Sequence, residues 1–111
     1  MSRPPDLVQG TLDLLIFKLL AFESLNGWAI SQRIKLLSSE VLQVSDGSLY
    51  PALHKLELAG FVSAQWRSTE NKRRAKFYAL TALGRDRMAT EATNWDRLSQ
   101  AITHLVRLHE V

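Results

Sequence analysis

A chain of 111 residues, 46% hydrophobic and 23% charged, suits one small domain with a thin core and argues against wholesale disorder. It has no cysteine, which excludes disulfides and thiolate metal sites and suits a reducing cytosol. The net charge of +3 is modest but concentrated: between Phe61 and Arg87 lie seven cations (Arg67, Lys72, Arg73, Arg74, Lys76, Arg85, Arg87) against Glu70 and Asp86.

Such a cluster attracts polyanions, nucleic acid first among them; the bland alternative is a solvated loop. The N-terminus, MSRPPDL, has no long apolar run, so no signal peptide is expected. The longest apolar-rich stretch, LDLLIFKLLAF, is broken by Asp13 and Lys18 and is too short to span a bilayer.

In chain order, residues 1–10 read as an arm, with Arg3-Pro4-Pro5 non-helical and Leu7 able to pin it to the body. Thr11 can cap a first helix, whose Leu12, Leu15, Ile16, Leu19 and Leu20 form a core-facing stripe. Asn26-Gly27 signals a turn. A second helix is expected over residues 28–38, with Ile30, Ile34 and Leu37 on one face.

The stretch SDGSLYPALHKLELAGF then poses a question. Leu49, Leu53 and Leu56 mark a third helix that Gly60 ends, yet Pro51 sits within it. A Ser45 cap would put Pro51 in the interior, at a cost of about 3 kcal/mol. A start at Gly47 or Ser48 puts it in the first turn, where a missing N–H costs little. A helix regular from about Ser48 is therefore expected.

After Gly60 the period changes to that of strands. FVSAQW and AKFYAL flank RSTENKRR, a hairpin with a charged tip of about eight residues. Thr81 can cap the last helix. Along it Glu91, Trp95, Leu98, Ile102, Leu105 and His109 keep heptad spacing over a short run. The order is three helices, a strand, a basic loop, a strand and a long helix. A helix-turn-helix would make the third helix the reader of a groove and the hairpin a wing beside it.

VQGTLDLLIFKLL, NGWAISQRI, SDGSLYPALHKLELAGFVSAQW and NKRRAKFYALTALG, followed by Trp95, resemble in that order the PadR-like transcriptional regulators. The resemblance spans about residues 7–98, and GSLYPALHKLE and RRAKFYALTALG are its most specific pieces. It implies a mainly α, winged helix-turn-helix repressor of the short form. Residues 1–80 would be the DNA-binding domain, and residues 81–111 a single C-terminal dimerisation helix. Two departures stand out. Gly27-Trp28 replaces the usual Gly-Tyr, which keeps a ring for packing. Asp46 stands where proline is common; there it favours the helix dipole, repels phosphate and can accept from a cytosine amino group.

Several residues carry two readings. Tyr50 resembles the family tyrosine at the DNA boundary that can bond phosphate; its alternative is a ring packed on the first helix or the hairpin with a wet hydroxyl. Ser48 can cap the helix, contact DNA, or both. His54 and Lys55 point away from the leucine stripe and are candidate DNA contacts. Arg67, Asn71, Lys72, Arg73, Arg74 and Lys76 form the candidate wing set on phosphates.

Trp95, Leu98, Ile102 and Leu105 are the candidate dimer seam. In some drug-responsive relatives a tryptophan on this helix stacks on flat ligands, which makes Trp95 a candidate site for a small aromatic inducer as well. His54, His104 and His109 lack metal-ligand spacing, and nothing around His54 supplies a nucleophile and carboxylate. No cofactor, metal or enzymatic activity is expected. A cytoplasmic homodimer bound to a pseudo-palindromic operator is the reading. A winged-helix module that binds protein instead of DNA is its alternative.

Overall fold

The computed structural model describes residues 9–110. The arm at residues 1–8, with Leu7, lies outside them. Helix α1 (Gln9–Leu20) begins two residues before Thr11, which is therefore not its cap. Leu12, Ile16, Leu19 and Leu20 are buried as the stripe required, and Phe17 joins them. The Phe17 ring meets that of Phe61, the residue after Gly60, edge-on at 5.9 Å.

The strand β1 (Leu25–Asn26) was not legible in the sequence, because two residues carry no period. Asn26 does not make a free turn. Its side chain accepts from the Ala29 N–H at 2.8 Å and caps α2 (Gly27–Leu37). Ile30 and Ile34 are buried, but Leu37, expected beside them, is 68% exposed. The helix ends there, and Leu37 only rims a shallow groove of about 220 Å³ with Leu15, Leu19 and Leu42. The end itself is a Schellman turn: the Glu40 N–H donates to the Lys35 carbonyl and the Ser39 N–H to that of Leu36. Ser39 takes the left-handed conformation (φ 53°) that glycine usually fills there.

Helix α3 (Asp46–Leu58) overturns the expected start. Ser45 is its cap, with Oγ accepting from the Ser48 N–H at 3.2 Å, and Pro51 is the sixth helical residue. The helix forgoes the bond that residue 51 would have donated to the Gly47 carbonyl. Gly47 is exposed, so water can take that acceptor, while Leu49, Leu53 and Leu56 are fully buried and hold the helix down. Burial of three leucines outweighs one lost bond.

Strands β2 (Val62–Ser68) and β3 (Arg74–Leu80) pair antiparallel from Val62↔Leu80 to Ser68↔Arg74, and β3 lies between β1 and β2. The tip is shorter than expected, because Arg67, Ser68 and Arg74 extend the ladder. Only residues 69–73 turn, closed by the Thr69 N–H on the Arg73 carbonyl at 2.7 Å, with Lys72 left-handed at φ 60°.

Helix α4 (Ala82–Val106) starts at Thr81 as expected and ends before His109. Thr81 Oγ1 accepts from the Gly84 N–H at 3.0 Å and donates to the Gly60 carbonyl at 2.7 Å. Gly84 is buried with its α-carbon facing the Phe61 carbonyl oxygen, so a Cβ there would collide with backbone. Gly84→Ala should therefore destabilise the protein by about 2–3 kcal/mol, read as a lower urea midpoint. A midpoint equal to wild type would show that α4 does not approach β2 so closely.

Candidate nucleic-acid interface

The reader helix presents one face to solvent. His54 and Lys55 are exposed there, opposite the buried leucines. Ser48 is partly covered: its Oγ accepts from Ser45 Oγ at 3.2 Å, so its hydroxyl belongs to the cap network. Asp46 is exposed in the first turn, where its charge favours the helix dipole.

The Tyr50 side chain faces α2 and solvent. It is 45% exposed, yet its ring lies against Gly27 at the start of α2. A Cβ on Gly27 would stand 2.6–2.8 Å from the ring edge and hydroxyl. Glycine there lets the reader helix close on α2 through the tyrosine. The ring beside Gly27 does not behave as expected: Trp28 is 68% exposed and does not pack into the core.

Along the wing, Arg67, Asn71, Lys72, Arg73 and Arg74 are exposed. None of those cations joins an ion pair among the described residues. Lys76 differs. It is half-buried and its Nζ donates to Glu57 of α3 at 2.9 Å, so it ties the hairpin to the reader helix. The Glu57 hydrogen bond is also what raises the Lys76 pKa above its ordinary value. Lys76 thus sits apart from the other wing cations; sequence could not show this, because Glu57 is nineteen residues away.

The α4 stripe lies elsewhere. Trp95, Leu98, Ile102 and Leu105 are 43%, 52%, 50% and 65% exposed on the part of α4 that leaves the body. His54, His104 and His109 are all at the surface. Among the described residues no cluster of His, Cys, Asp or Glu could hold a metal ion, and no helix is long and apolar enough to cross a membrane.

One charged residue escaped the sequence reading. Asp13 of α1 has an Oδ1 that is buried without a hydrogen-bond partner. Burial, more than the nearby Glu91, pushes its pKa up, while Lys55 of α3 and Arg87 of α4 pull it down. Asp13 stands between the reader helix and α4.

The family model of the Transcriptional regulator PadR-like family matches residues 16–90, and the chain belongs to this family. It is a PadR-family transcriptional regulator with a winged helix-turn-helix fold. Among solved structures it is similar to a transcriptional regulator from Clostridium thermocellum (25% identity, TM-score 0.84, 93% of this chain and 100% of that one). It is also similar to a PadR family transcriptional regulator from Eggerthella lenta (25% identity, TM-score 0.73, 91% of this chain and 86% of that one). An uncharacterised protein from Lysinibacillus sphaericus is 25% identical over 97 residues, 87% of this chain and 89% of its own length.

Gly27→Ala should cost only about 1 kcal/mol of stability, since the half-exposed Tyr50 ring can swing away. It should nonetheless weaken DNA binding at least as much as Tyr50→Phe, about 0.5–1.5 kcal/mol for one hydrogen bond. Equal anisotropy titrations for both variants and wild type would leave Tyr50 a packing role alone.

Asp13 makes a pH-dependent prediction. A carboxyl whose folded pKa is raised binds its proton more readily in the native state. Asp13 therefore subtracts stability at neutral pH, and the subtraction fades as pH falls towards the unfolded value of about 4. Asp13→Asn should be more stable than wild type at pH 7, with the gap closing towards about pH 4. Parallel melting curves at both pH values would reject it.

Proposed function

We propose that this regulator is a homodimeric repressor of a pseudo-palindromic operator. The observation that carries the dimer is the uncovered apolar stripe of α4. Beyond residue 92 every described α4 side chain is exposed save that of Ser99, yet four large apolar residues recur there at heptad spacing. A second copy is the cheapest cover for such a stripe. Two-fold symmetry then presents two α3 helices to successive major grooves, with half-sites about one helical turn or a multiple apart.

Within each subunit residues 1–80 bind DNA and residues 81–111 dimerise. Ser48, Tyr50, His54 and Lys55 face the groove and its edge. Arg67, Asn71, Lys72, Arg73 and Arg74 hold phosphates, with Lys76 fixing the wing to α3. Trp95, the least exposed member of the stripe, anchors the dimer centre and offers a stacking surface to a flat inducer. The protein works in the cytoplasm, where its operator is. Wing cations unpaired by acids favour DNA over a protein partner.

Two measurements test this. Arg73→Ala with Arg74→Ala should weaken binding to every duplex and flatten the dependence of log K on log salt by up to about 2 per subunit. An unchanged slope means the wing does not touch phosphate. Ile102→Asp with Leu105→Asp should yield a monomer, or an unstable chain, without specific operator binding. The reason is that each large side chain removed from a buried seam costs about 2–5 kcal/mol and a lone half-site lacks the linked second contact. A folded dimer of this variant with intact operator affinity, seen by sedimentation, would sink the α4 seam.

A further inference from the structure

The hairpin carries aromatic rings where they do not serve the core. Alternation along β2 and β3 sorts its side chains onto two faces. Val62 and Tyr78 are buried, so Trp66, Arg74 and Lys76 share the inner face, and Arg67 and Phe77 share the outer one. Trp66 is 57% exposed, so burial does not explain it.

Each face instead holds an arginine on a ring. The Arg74 guanidinium lies 5.6 Å from the centre of Trp66, and that of Arg67 lies 5.1 Å from the centre of Phe77. Both pairs are cross-strand diagonals of the same kind. Trp66 faces Lys76 and reaches Arg74 two residues on; Arg67 faces Ala75 and reaches Phe77 two residues on. The inner face is further tied to α3 by the Lys76–Glu57 bond, so this part of the ribbon is anchored to the reader helix.

A guanidinium held over a ring differs from one held by a carboxylate. Its charge is not cancelled, and N–H groups that lie in its own plane can still donate outward, although one of Arg67's reaches Gln65 Oε1 at 3.5 Å. Its rotamer freedom is already reduced before a partner arrives, which lowers the ordering cost of binding. Two such arginines on opposite faces of a two-stranded ribbon point to opposite sides. We propose that Trp66 and Phe77 are positioning residues that pre-set Arg74 and Arg67 as a two-sided phosphate grip on the wing. The proposal rests on the reading of the wing as a DNA contact. It explains why an exposed tryptophan stands beside a basic tip.

Double-mutant cycles test it, by fluorescence anisotropy on a duplex from the DNA upstream of the gene and on a random duplex, with a salt series. Trp66→Leu should weaken binding to both duplexes about two- to fivefold, while Trp66→Phe keeps a ring and most of the affinity. On an Arg74→Ala background Trp66→Leu should add nothing; on an Arg67→Ala background it should have its full effect. Phe77→Leu should behave reciprocally. The salt slope should stay that of wild type in Trp66→Leu and drop by about 1 per subunit in Arg74→Ala, because the ring places the charge and does not carry it.

Thermal melts establish that each variant is folded. The exposed Trp66 carries the test alone should the half-buried Phe77 variant lose its transition. Ring and arginine losses that simply add, or ring variants that bind like wild type, overturn the proposal and leave the DNA reading intact. Wild-type protein that binds neither duplex overturns the DNA reading and the proposal with it.

Discussion

The departure of α4 from the sheet depends on one close approach, that of Gly84 to the Phe61 carbonyl. Thr81 organises the contact from both sides. Its N–H donates to Phe61, its hydroxyl donates to Gly60, and the same oxygen caps the helix at Gly84. With no side chain at position 84, the helix axis can lie directly on the start of β2. From that origin α4 packs its first turns on α1 and then runs clear of the body, in a molecule 63 Å long. The direction of this departure sets where the exposed stripe stands, and hence how far apart two reader helices would lie in a symmetric pair.

A second glycine does comparable work within the helix-turn-helix. Gly27 admits the Tyr50 ring against the start of α2, so the angle between α2 and α3 is set partly by an aromatic wedge that stays half open to solvent. Tyr50 precedes Pro51, and the two belong together. The core leucines press one face of α3 down, and the tyrosine braces it against α2. The helix can then carry a proline past its first turn with one carbonyl left to water. Pro51 within α3 is thus accommodated by packing and not by a late helix start.

Electrostatically the protein is two-sided. Acids meet bases where elements must be joined: Glu57 with Lys76 between α3 and the hairpin, Glu91 with Arg87 along α4, Glu23 with Arg33 beside α2. Exposed pairs of this kind contribute little stability each. Toward the wing tip the pairing stops among the described residues, and Arg67 and Arg74 lie over aromatic rings instead. Charge left unbalanced in this way is available to a polyanion. Asp13, whose Oδ1 is buried without a hydrogen-bond partner, is among the described residues a group whose burial works against the fold at neutral pH.

By itself the sequence determined the helices and the hairpin, because these rest on local pattern: the stripe from Leu12 to Leu20, the triplet Leu49, Leu53 and Leu56, the strand formers of FVSAQW and AKFYAL. Thr81 as a cap and the exposed faces at His54 and Lys55 were legible from local chemistry and spacing, and the family from the resemblance carried by GSLYPALHKLE and RRAKFYALTALG. Where the outcome turned on contacts between distant residues, sequence was silent or misleading. The two-residue β1 exists only because β3 is there to pair with it. The true start of α3 followed from leucine burial overriding a proline's preference. Leu37 was left exposed because α2 ends at it and the chain turns away there. Lys76 was tied to α3 by Glu57, and Trp66 was placed under Arg74 by strand register. Local propensity is written residue by residue; which side chains meet is decided by the sum of long-range packing, and only the folded chain performs that sum.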